Sequence, residues 1–389
     1  MNAFFLAVSY LRFHWARSLV LVLAVALILA VPVASRALLN AGEATLTARA
    51  ETTPYLVGRR GSALDLTMAA LYFGQERPPT LPAEEVDRIW DSGLAVPIPL
   101  HIGFETGGQP IVGTTLDYFE FRGLALAGGR GLALLGEAVL GARAAEALGV
   151  APGDTVVSTP QNLFDLDGVY PLEMPVVGVL APTGTPDDEA VFVDIKTTWV
   201  IAGIGHGHAD VVSAEDLAAG ETVRAGAEIV QFQRITPENI ESFHFHGNEG
   251  DYPVTAVIAV PSDLRAGTIL QGRYLDPAGS AQLVSPMRVV EGLVERIFRI
   301  RTVLDAVAAI VAAAALAAIG LSFFLSYRLR AAEFATARKL GAARGTALRL
   351  LAAETAVLLL PCILLAGGLA LAVHSRADAL VGWMLALGA

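Results

Sequence analysis

Three long apolar runs divide this chain, and a long segment of mixed polarity separates the first run from the other two. The runs are Leu19 to Val33, Ala306 to Phe324 and Thr355 to Val373. Each comes close to the ~20 apolar residues that a helix needs to cross a hydrocarbon core of ~30 Å. We therefore predict three transmembrane helices, at residues 18–34, 303–327 and 352–373.

A short basic segment, residues 328–351, joins the second and third apolar runs. The pattern over Tyr327 to Glu354 predicts one amphipathic helix. Its positive residues outnumber Glu333 and Glu354, and they are Arg328, Arg330, Arg338, Lys339, Arg344 and Arg349. Because basic residues in short loops stay in the cytoplasm, this segment and residues 1–17 are predicted to be cytoplasmic. Residues 35–302 then lie outside the cell or in the periplasm.

The first apolar run has a second interpretation, a cleaved signal peptide. Basic residues precede the run and small residues follow it near Ala34, as in a secretory signal. The long amphipathic lead-in from Ala3 to Trp15 favours a retained membrane helix instead.

The last residues, 374–389, are predicted as an outer loop followed by the start of a shortened fourth span. The apolar tail from Ala379 to Ala389 has only eleven residues, which is about 16 Å of helix at 1.5 Å per residue. This tail is too short to cross a bilayer alone.

The segment between the first two runs mixes strand-like and helix-like patterns. Predicted strands are Ala95 to Ile102, Pro175 to Leu180, Ala190 to Ile195 and Pro253 to Val260. Predicted helices are Pro82 to Asp91, Gly136 to Leu148 and two stalks that continue the spans, Ser35 to Arg49 and Pro286 to Thr302. The predicted fold class is therefore membrane α-helical spans plus an α+β extracytoplasmic domain.

Charge and motif content exclude several functions. The net charge of −11 argues against a nucleic-acid partner, because phosphate binding needs a basic face and the arginines here cluster beside predicted spans. The chain has no G-x-x-x-x-G-K-[ST] loop, and its two lysines, Lys196 and Lys339, lie outside any glycine-rich phosphate cradle. The only cysteine, Cys362, allows no intramolecular disulfide. We predict that the chain does not hydrolyse ATP.

Two H-x-H pairs are the candidate metal ligands: His206, His208, His244 and His246. Alternate residues of a strand share one face, so each pair offers two imidazoles to one ion, and Zn²⁺ or Cu²⁺ would suit such a set. Carboxylates near the pairs are Asp210, Glu249 and Asp251. The alternative is that these are ordinary polar loop residues. His101, in an apolar strand, is predicted to be a hydrogen-bonded residue of the core or its rim.

The other carboxylates are predicted to be solvated loop acids: Asp165, Asp167, Asp187, Asp188 and Glu189. No G-x-S-x-G or H-E-x-x-H motif accompanies them, so no catalytic residue is assigned. A metallohydrolase built on the histidine pairs is a minor alternative.

The basic segment resembles the coupling-helix signature of FtsX/MacB-type permeases of ABC transporters. In that signature a glutamate, a basic pair and Leu-Gly-Ala precede a helix that returns to the membrane. The matching residues are Glu333, Arg338, Lys339, Leu340, Gly341 and Ala342, with Glu354 at the re-entry. The stretches LGEAVLGARAAEALGVAPGDTV and VVGVLAPTGTPDDEAVFVDI are similar to the periplasmic core domain of the same family.

The resemblance implies one amino-terminal span, a large periplasmic domain and three further spans, in a complex of two permeases and two ATPase subunits. This chain departs from that pattern where a fourth span is absent or cut short after Val381. We predict contact with the ATPase at the matching residues Glu333, Arg338, Lys339, Leu340, Gly341 and Ala342, and at Arg330 and Arg344 of the same basic segment.

We therefore expect a non-catalytic permease subunit in a bacterial inner membrane, which dimerises and transmits movement from a partner ATPase to its periplasmic domain. Export, extraction and metal-linked transport are the modes considered, with a periplasmic accessory protein as a further partner. The alternative is a membrane-anchored periplasmic binding or sensor protein, with or without Zn²⁺, that has no ATPase.

Overall fold

The computed structural model describes residues 3–74, 77–160, 171–207, 233–341, 343, 345–377 and 380. The chain forms two compact units. One comprises Met1–Ala48 and Glu291–Ala389, and the other comprises Arg49–Val290. The first unit contains the three apolar runs, and the second contains the predicted α+β domain.

The described helices, in chain order, are α1 (Ala3–Phe13), α2 (Trp15–Glu51), α3 (Ala63–Tyr72), α4 (Glu84–Asp91), α5 (Leu116–Arg122), α6 (Ala142–Leu148), α7 (Ile195–Ile201), α8 (Leu264–Arg273), α9 (Pro286–Leu329), α10 (Ala331–Lys339) and α11 (Thr346–His374). The described strands are β1 (Tyr55–Arg59), β2 (Leu81–Pro82), β3 (Ala95–Thr106), β4 (Gln109–Thr114), β5 (Leu126–Gly129), β6 (Ala138–Leu140), β7 (Thr155–Val157), β8 (Leu172–Leu180), β9 (Val191–Asp194), β10 (Gly205–Gly207), β11 (Gln233–Arg234), β12 (Phe243–Phe245), β13 (Pro253–Val254), β14 (Ala256–Pro261) and β15 (Ala281–Val284).

Two described helices are long and apolar enough to cross a membrane, judged by length and composition. They are Ser18–Glu51 within α2 and Leu348–His374 within α11, and they contain the first and third predicted spans. The second predicted span lies inside α9, where Thr302–Ala314 is a shorter apolar helix. The topology of three spans therefore stays a prediction. The predicted start of a fourth span falls largely outside the described residues.

The predicted helical stalks are present as continuous helices. Helix α2 runs from Trp15 to Glu51 without a break and includes Pro32. Helix α9 extends for 44 residues from Pro286 to Leu329. The first and second apolar runs are thus each extended by a polar segment of the same helix.

The prediction of one amphipathic helix over Tyr327 to Glu354 is wrong. Helix α9 ends at Leu329, α10 ends at Lys339, and α11 begins at Thr346. Gly341 adopts a positive φ of 98° after α10, a conformation that glycine reaches without the steric penalty of a side chain. The basic segment is therefore a short helix followed by a turn.

Within the described part of the second unit, eleven strands form one mixed sheet. Its main order is β11-β8-β6-β9-β4-β3-β14-β1-β15, and β5 and β7 also pair with β8. Strand β8 alternates buried and half-buried residues along its whole length, which is the pattern of a strand with one face in the core. All four predicted strands lie in the sheet or beside it, so the α+β prediction for this domain is confirmed.

The predicted helix Gly136 to Leu148 is wrong in its first half. Ala138, Val139 and Leu140 form β6, which is parallel to β8 and antiparallel to β9, and all three residues are fully buried. Burial between two neighbouring strands overrides the local helical pattern. Helix α6 begins only after Gly141.

Candidate functional site

The exposed end of the basic segment is one candidate site. Arg338, Lys339 and Leu340 are exposed where α10 gives way to the turn, and the Leu340 side chain is 84% exposed. A leucine is thus exposed between two positive charges and a glycine. Ala342 and Arg344 lie outside the described residues, and for Glu333 only the helical backbone is described.

An ion pair joins the residues on either side of this exposed end. The Arg330 Nη1 atom donates a hydrogen bond of 2.8 Å to Glu354 Oε1, and the Glu354 side chain is only 3% exposed. The Arg330 guanidinium also lies 4.5 Å from the Tyr10 ring centroid and 5.2 Å from that of Phe334. The pair therefore connects the residue before α10 to the first turns of α11.

Helix α11 packs against α2 within the same unit. Val22 and Val25 of α2 form a small apolar cluster with Leu358 and Cys362 of α11. Glu354 lies one turn before Leu358 on α11, so the ion pair and the apolar contact follow one face of that helix. The ion pair and the apolar contact therefore hold the same face of α11.

A buried ionic network lies in the second unit, and sequence reasoning missed it. Arg49 donates to both carboxylate oxygens of Asp187, with Nη1–Oδ2 and Nη2–Oδ1 distances of 2.6 and 2.8 Å. The Tyr118 hydroxyl donates to Asp187 Oδ1 at 2.7 Å, and Arg49 Nε donates to the Leu71 carbonyl at 2.6 Å. Arg49, Tyr118 and Asp187 are all buried.

The prediction that Asp187 and Asp188 are solvated is therefore wrong. Burial would raise the pKa of Asp187, but the hydrogen bonds and charge of Arg49 hold it below its ordinary value. Asp188 accepts hydrogen bonds of 2.8 Å from the backbone of Thr183 and Gly184, so its carboxylate closes the turn before β9. Asp165 and Asp167 lie outside the described residues.

His101 is a buried, hydrogen-bonded residue, as predicted. Its Nδ1 lies 2.8 Å from Thr198 Oγ1, and Thr198 donates its own proton to the Ile195 carbonyl at 2.6 Å. The threonine oxygen therefore accepts, and His101 carries its proton on Nδ1. Burial lowers the pKa of His101 to about 4, so the imidazole is neutral at physiological pH.

Three of the four predicted metal ligands come together on a small two-stranded antiparallel sheet. In β10 and β12, His206 lies directly opposite His244, and His246 follows β12. The nitrogens that could bind metal on these three residues lie within 4.8 Å of one another. His208 and Asp210 lie outside the described residues. Glu249 is paired instead with Lys196, at an Nζ–Oε1 distance of 3.0 Å.

A surface cleft of about 260 Å³ lies between α4 and α8. Tyr274 donates a hydrogen bond of 2.6 Å to Glu85 in its wall, and Arg88 pairs with the same carboxylate. Burial raises the pKa of Tyr274, so its hydroxyl stays protonated. Tyr274 and Arg88 are therefore both bonded to Glu85 in the wall of the cleft.

Comparison with known families decides the class of this protein. The sequence profile of the MacB-like periplasmic core domain matches residues 18–229, more than half of the chain. The chain belongs to this family. The match confirms the resemblance to FtsX/MacB-type permeases, and the family consists of membrane subunits of ABC transporters. A MacB-like core domain makes this chain a membrane protein with an extracytoplasmic domain.

Two solved structures are similar to this MacB-like chain. The periplasmic region of MacB from Actinobacillus actinomycetemcomitans is 12% identical, with 64% of this chain and 97% of that chain covered and a TM-score of 0.37. The extracellular domain of the ABC-type transporter YknZ from Gram-positive bacteria is 12% identical, with coverage of 60% and 99% and a TM-score of 0.33. Among curated protein sequences, none matches this chain.

Proposed function

We propose that this chain is the permease subunit of an ABC transporter and transmits movement from a partner ATPase to its MacB-like periplasmic domain. The observation that carries the proposal is the exposed end of α10, where Arg338, Lys339 and Leu340 stand out from the helical unit. The sequence has no phosphate-binding loop, so a partner must hydrolyse ATP. MacB-like permeases work with ABC ATPase subunits.

The Arg330–Glu354 pair supports transmission of force through this end. A push on α10 acts on the residue that follows α9 and, through the ion pair, on the start of α11. An interaction between charged groups with a nearly buried carboxylate resists displacement better than an exposed pair. Movement of α10 is thus passed to two long helices together.

The apolar runs favour transmission of movement over conduction. They contain few polar groups, and an aqueous pathway normally places ionisable residues inside the spans. We also propose, as the resemblance to FtsX/MacB-type permeases implies, that the chain acts as a homodimer in the bacterial inner membrane. Its movement would drive export, extraction or metal-linked transport, with a periplasmic accessory protein as a further partner.

Affinity purification from the native membrane tests the proposal. The variant Arg338→Ala/Lys339→Ala/Leu340→Ala should lose a co-purifying ATPase subunit that the wild type retains. The matched control is Arg12→Ala, which removes an exposed positive charge from the predicted cytoplasmic N-terminus. An ATPase that remains bound to the triple variant would contradict docking at α10.

Absence of any ATPase from both samples would favour the alternative function, a membrane-anchored periplasmic binding or sensor protein. The histidine cluster in the second unit is the observation that favours this alternative. Reporter fusions test the membrane topology independently of which partner binds. A fusion after Lys339 should report the cytoplasm, and an insertion at Gly247 should report the periplasm.

A further inference from the structure

The two-stranded sheet of β10 and β12 presents three imidazoles on one face. His206 and His244 form a directly opposed cross-strand pair, and His244 and His246 are separated by one residue whose side chain points to the other face. The ring centroids of the three side chains lie 4.7 to 5.0 Å apart pairwise. His244 and His246 are exposed and His206 is half-buried, so an ion reaches the cluster from solvent.

The spacing of two nitrogens fits a tetrahedral metal ion. His246 Nε2 lies 3.4 Å from His206 Nε2. Two nitrogens bound to Zn²⁺ at ~2.05 Å with a tetrahedral angle are about 3.3 Å apart. Neutral N–H···N hydrogen bonds are usually shorter than 3.4 Å, so this separation suits a shared ion better than a direct bond.

The orientation of His244 also suits metal binding. Its Nδ1 lies 3.2 Å from the carbonyl oxygen of Ser242, and a carbonyl oxygen only accepts. Nδ1 therefore carries the proton, and Nε2 keeps its lone pair. A metal-binding imidazole commonly donates its other nitrogen to a backbone carbonyl, which fixes the tautomer and the ring.

Aromatic packing holds the two-stranded sheet of β10 and β12 in this position. Phe245, between His244 and His246, packs edge-to-face against Trp199 at a centroid distance of 6.4 Å and lies beside Tyr252. A Cβ atom on Gly205 would come within 2.6 Å of the Phe245 ring, so glycine allows this close packing across the strands. The three imidazoles are thus placed before an ion arrives.

We propose that His206, His244 and His246 form a Zn²⁺ site on the extracytoplasmic domain. Among the described residues these three are its ligands, and water or a further ligand takes the fourth position. Three imidazoles with water or another ligand in the fourth position are an established ligand set for Zn²⁺. The site does not depend on the proposed permease function, since all three ligands and their supports lie in the second unit. The site would bind a divalent transition metal, and the metal we propose is Zn²⁺.

Zinc titration of the full-length chain tests the site. The protein is purified in detergent through a tag without histidine, and Zn²⁺ is partitioned between the protein and a chromophoric chelator. One equivalent should bind tightly, and zinc should raise the Tm. Since loss of a supporting partner alone costs about 10- to 100-fold in affinity, His206→Gln, His244→Gln and His246→Gln should each lose at least about 100-fold.

The matched control is Glu249→Gln, which removes a carboxylate close in sequence that is paired with Lys196. It should keep the affinity of the wild type. Each variant must unfold at the Tm of the wild type without zinc, which shows that its fold is intact. Wild-type affinity in any folded histidine variant, equal loss in Glu249→Gln, or failure of the wild type to bind one equivalent of Zn²⁺ would overturn the zinc site.

Discussion

Arg49 donates two hydrogen bonds to Asp187, and the two residues are 138 positions apart in the chain. Both side chains are nearly excluded from solvent, at 6% and 1% exposure. Arg49 lies in the last turn of α2, the helix that contains the first apolar run. The pair therefore joins the end of a candidate membrane helix to the 3₁₀ turn Pro186–Glu189 beside the sheet.

Substitution Asp187→Asn should lower the free energy of unfolding by about 3–5 kcal/mol, because it leaves the Arg49 charge buried without a counter-ion. Glu189→Gln is the matched control, since Glu189 pairs with Arg143 at the surface and both side chains are more than a third exposed. That control should cost no more than about 1 kcal/mol. Thermal unfolding of the detergent-solubilised chain measures both, and equal costs would contradict the assigned role of the buried pair.

The same pair should make the free energy of unfolding depend on pH under strongly acidic conditions. The folded pKa of Asp187 lies below its ordinary value of 3.8, so the unfolded chain binds this proton more readily. The stabilisation is fully present at neutral pH and is lost as the pH falls from about 4 through the folded pKa. Asp187→Asn should remove this part of the acid dependence.

His101 should make the free energy of unfolding depend on pH in a second, less acidic range. Its pKa falls from 6.5 to about 4 on burial, so between these values the unfolded state binds the proton and the folded state does not. Stability should fall by up to about 3 kcal/mol as the pH drops from 6.5 to 4, at about 1.4 kcal/mol per pH unit.

His101→Gln is the test of this dependence, because glutamine stays neutral over the whole range. The variant should be less stable at pH 7. Its free energy of unfolding should lack the part of the decrease between pH 6.5 and 4 that His101 causes. A wild-type pH profile in the variant would place the titrating group elsewhere.

Gly141 should tolerate no side chain. A Cβ atom there would lie 2.1 Å from the Asp187 carbonyl oxygen and 2.4 Å from that of Asp188, and backbone atoms cannot rotate away. Gly141→Ala should cost about 1–3 kcal/mol of stability, or more if the turn before β9 is displaced. Gly131→Ala is the control, since open space surrounds Gly131. Urea unfolding compares the two, and equal midpoints would show that the turn moves freely.

Glu354→Gln should weaken transmission through α10, since it removes the acceptor charge from the Arg330 pair. A hydrogen bond to a charged group contributes about 1.5–3 kcal/mol, so retention of the co-purified ATPase should fall, by at most the ~10- to 150-fold to which this energy corresponds. The exchanged pair Arg330→Glu/Glu354→Arg should recover part of the loss. A double variant as weak as the single one would show that the pairing of the two charges is not what matters.

Local patterns predicted much of this protein because their physical causes are local. The apolar runs lie in long helices, and β8 shows the alternating burial expected of a strand at Pro175 to Leu180. The turn at Pro152 and Gly153 is present, with Gly153 at a φ of 106°. The family match likewise rests on residue types that can be read along the chain, over residues 18–229.

Two errors arose where distant residues decide the structure. Ala138 to Leu140 read as helical, yet they form β6 because β8 and β9 lie on either side of them. Asp187 read as a loop acid, yet Arg49 and Tyr118 enclose it. Sequence spacing carries no information on either contact.

The sequence by itself determined the apolar runs, the basic segment between two of them and the residue types of the two H-x-H pairs. Only the tertiary structure decided that His206 opposes His244, that Arg330 meets Glu354 and that Asp187 is buried. The physical reason is the distance along the chain over which each effect acts. Hydropathy patterns and backbone propensity depend on near neighbours in the sequence. Burial and ion pairing depend on which distant segments the fold brings together.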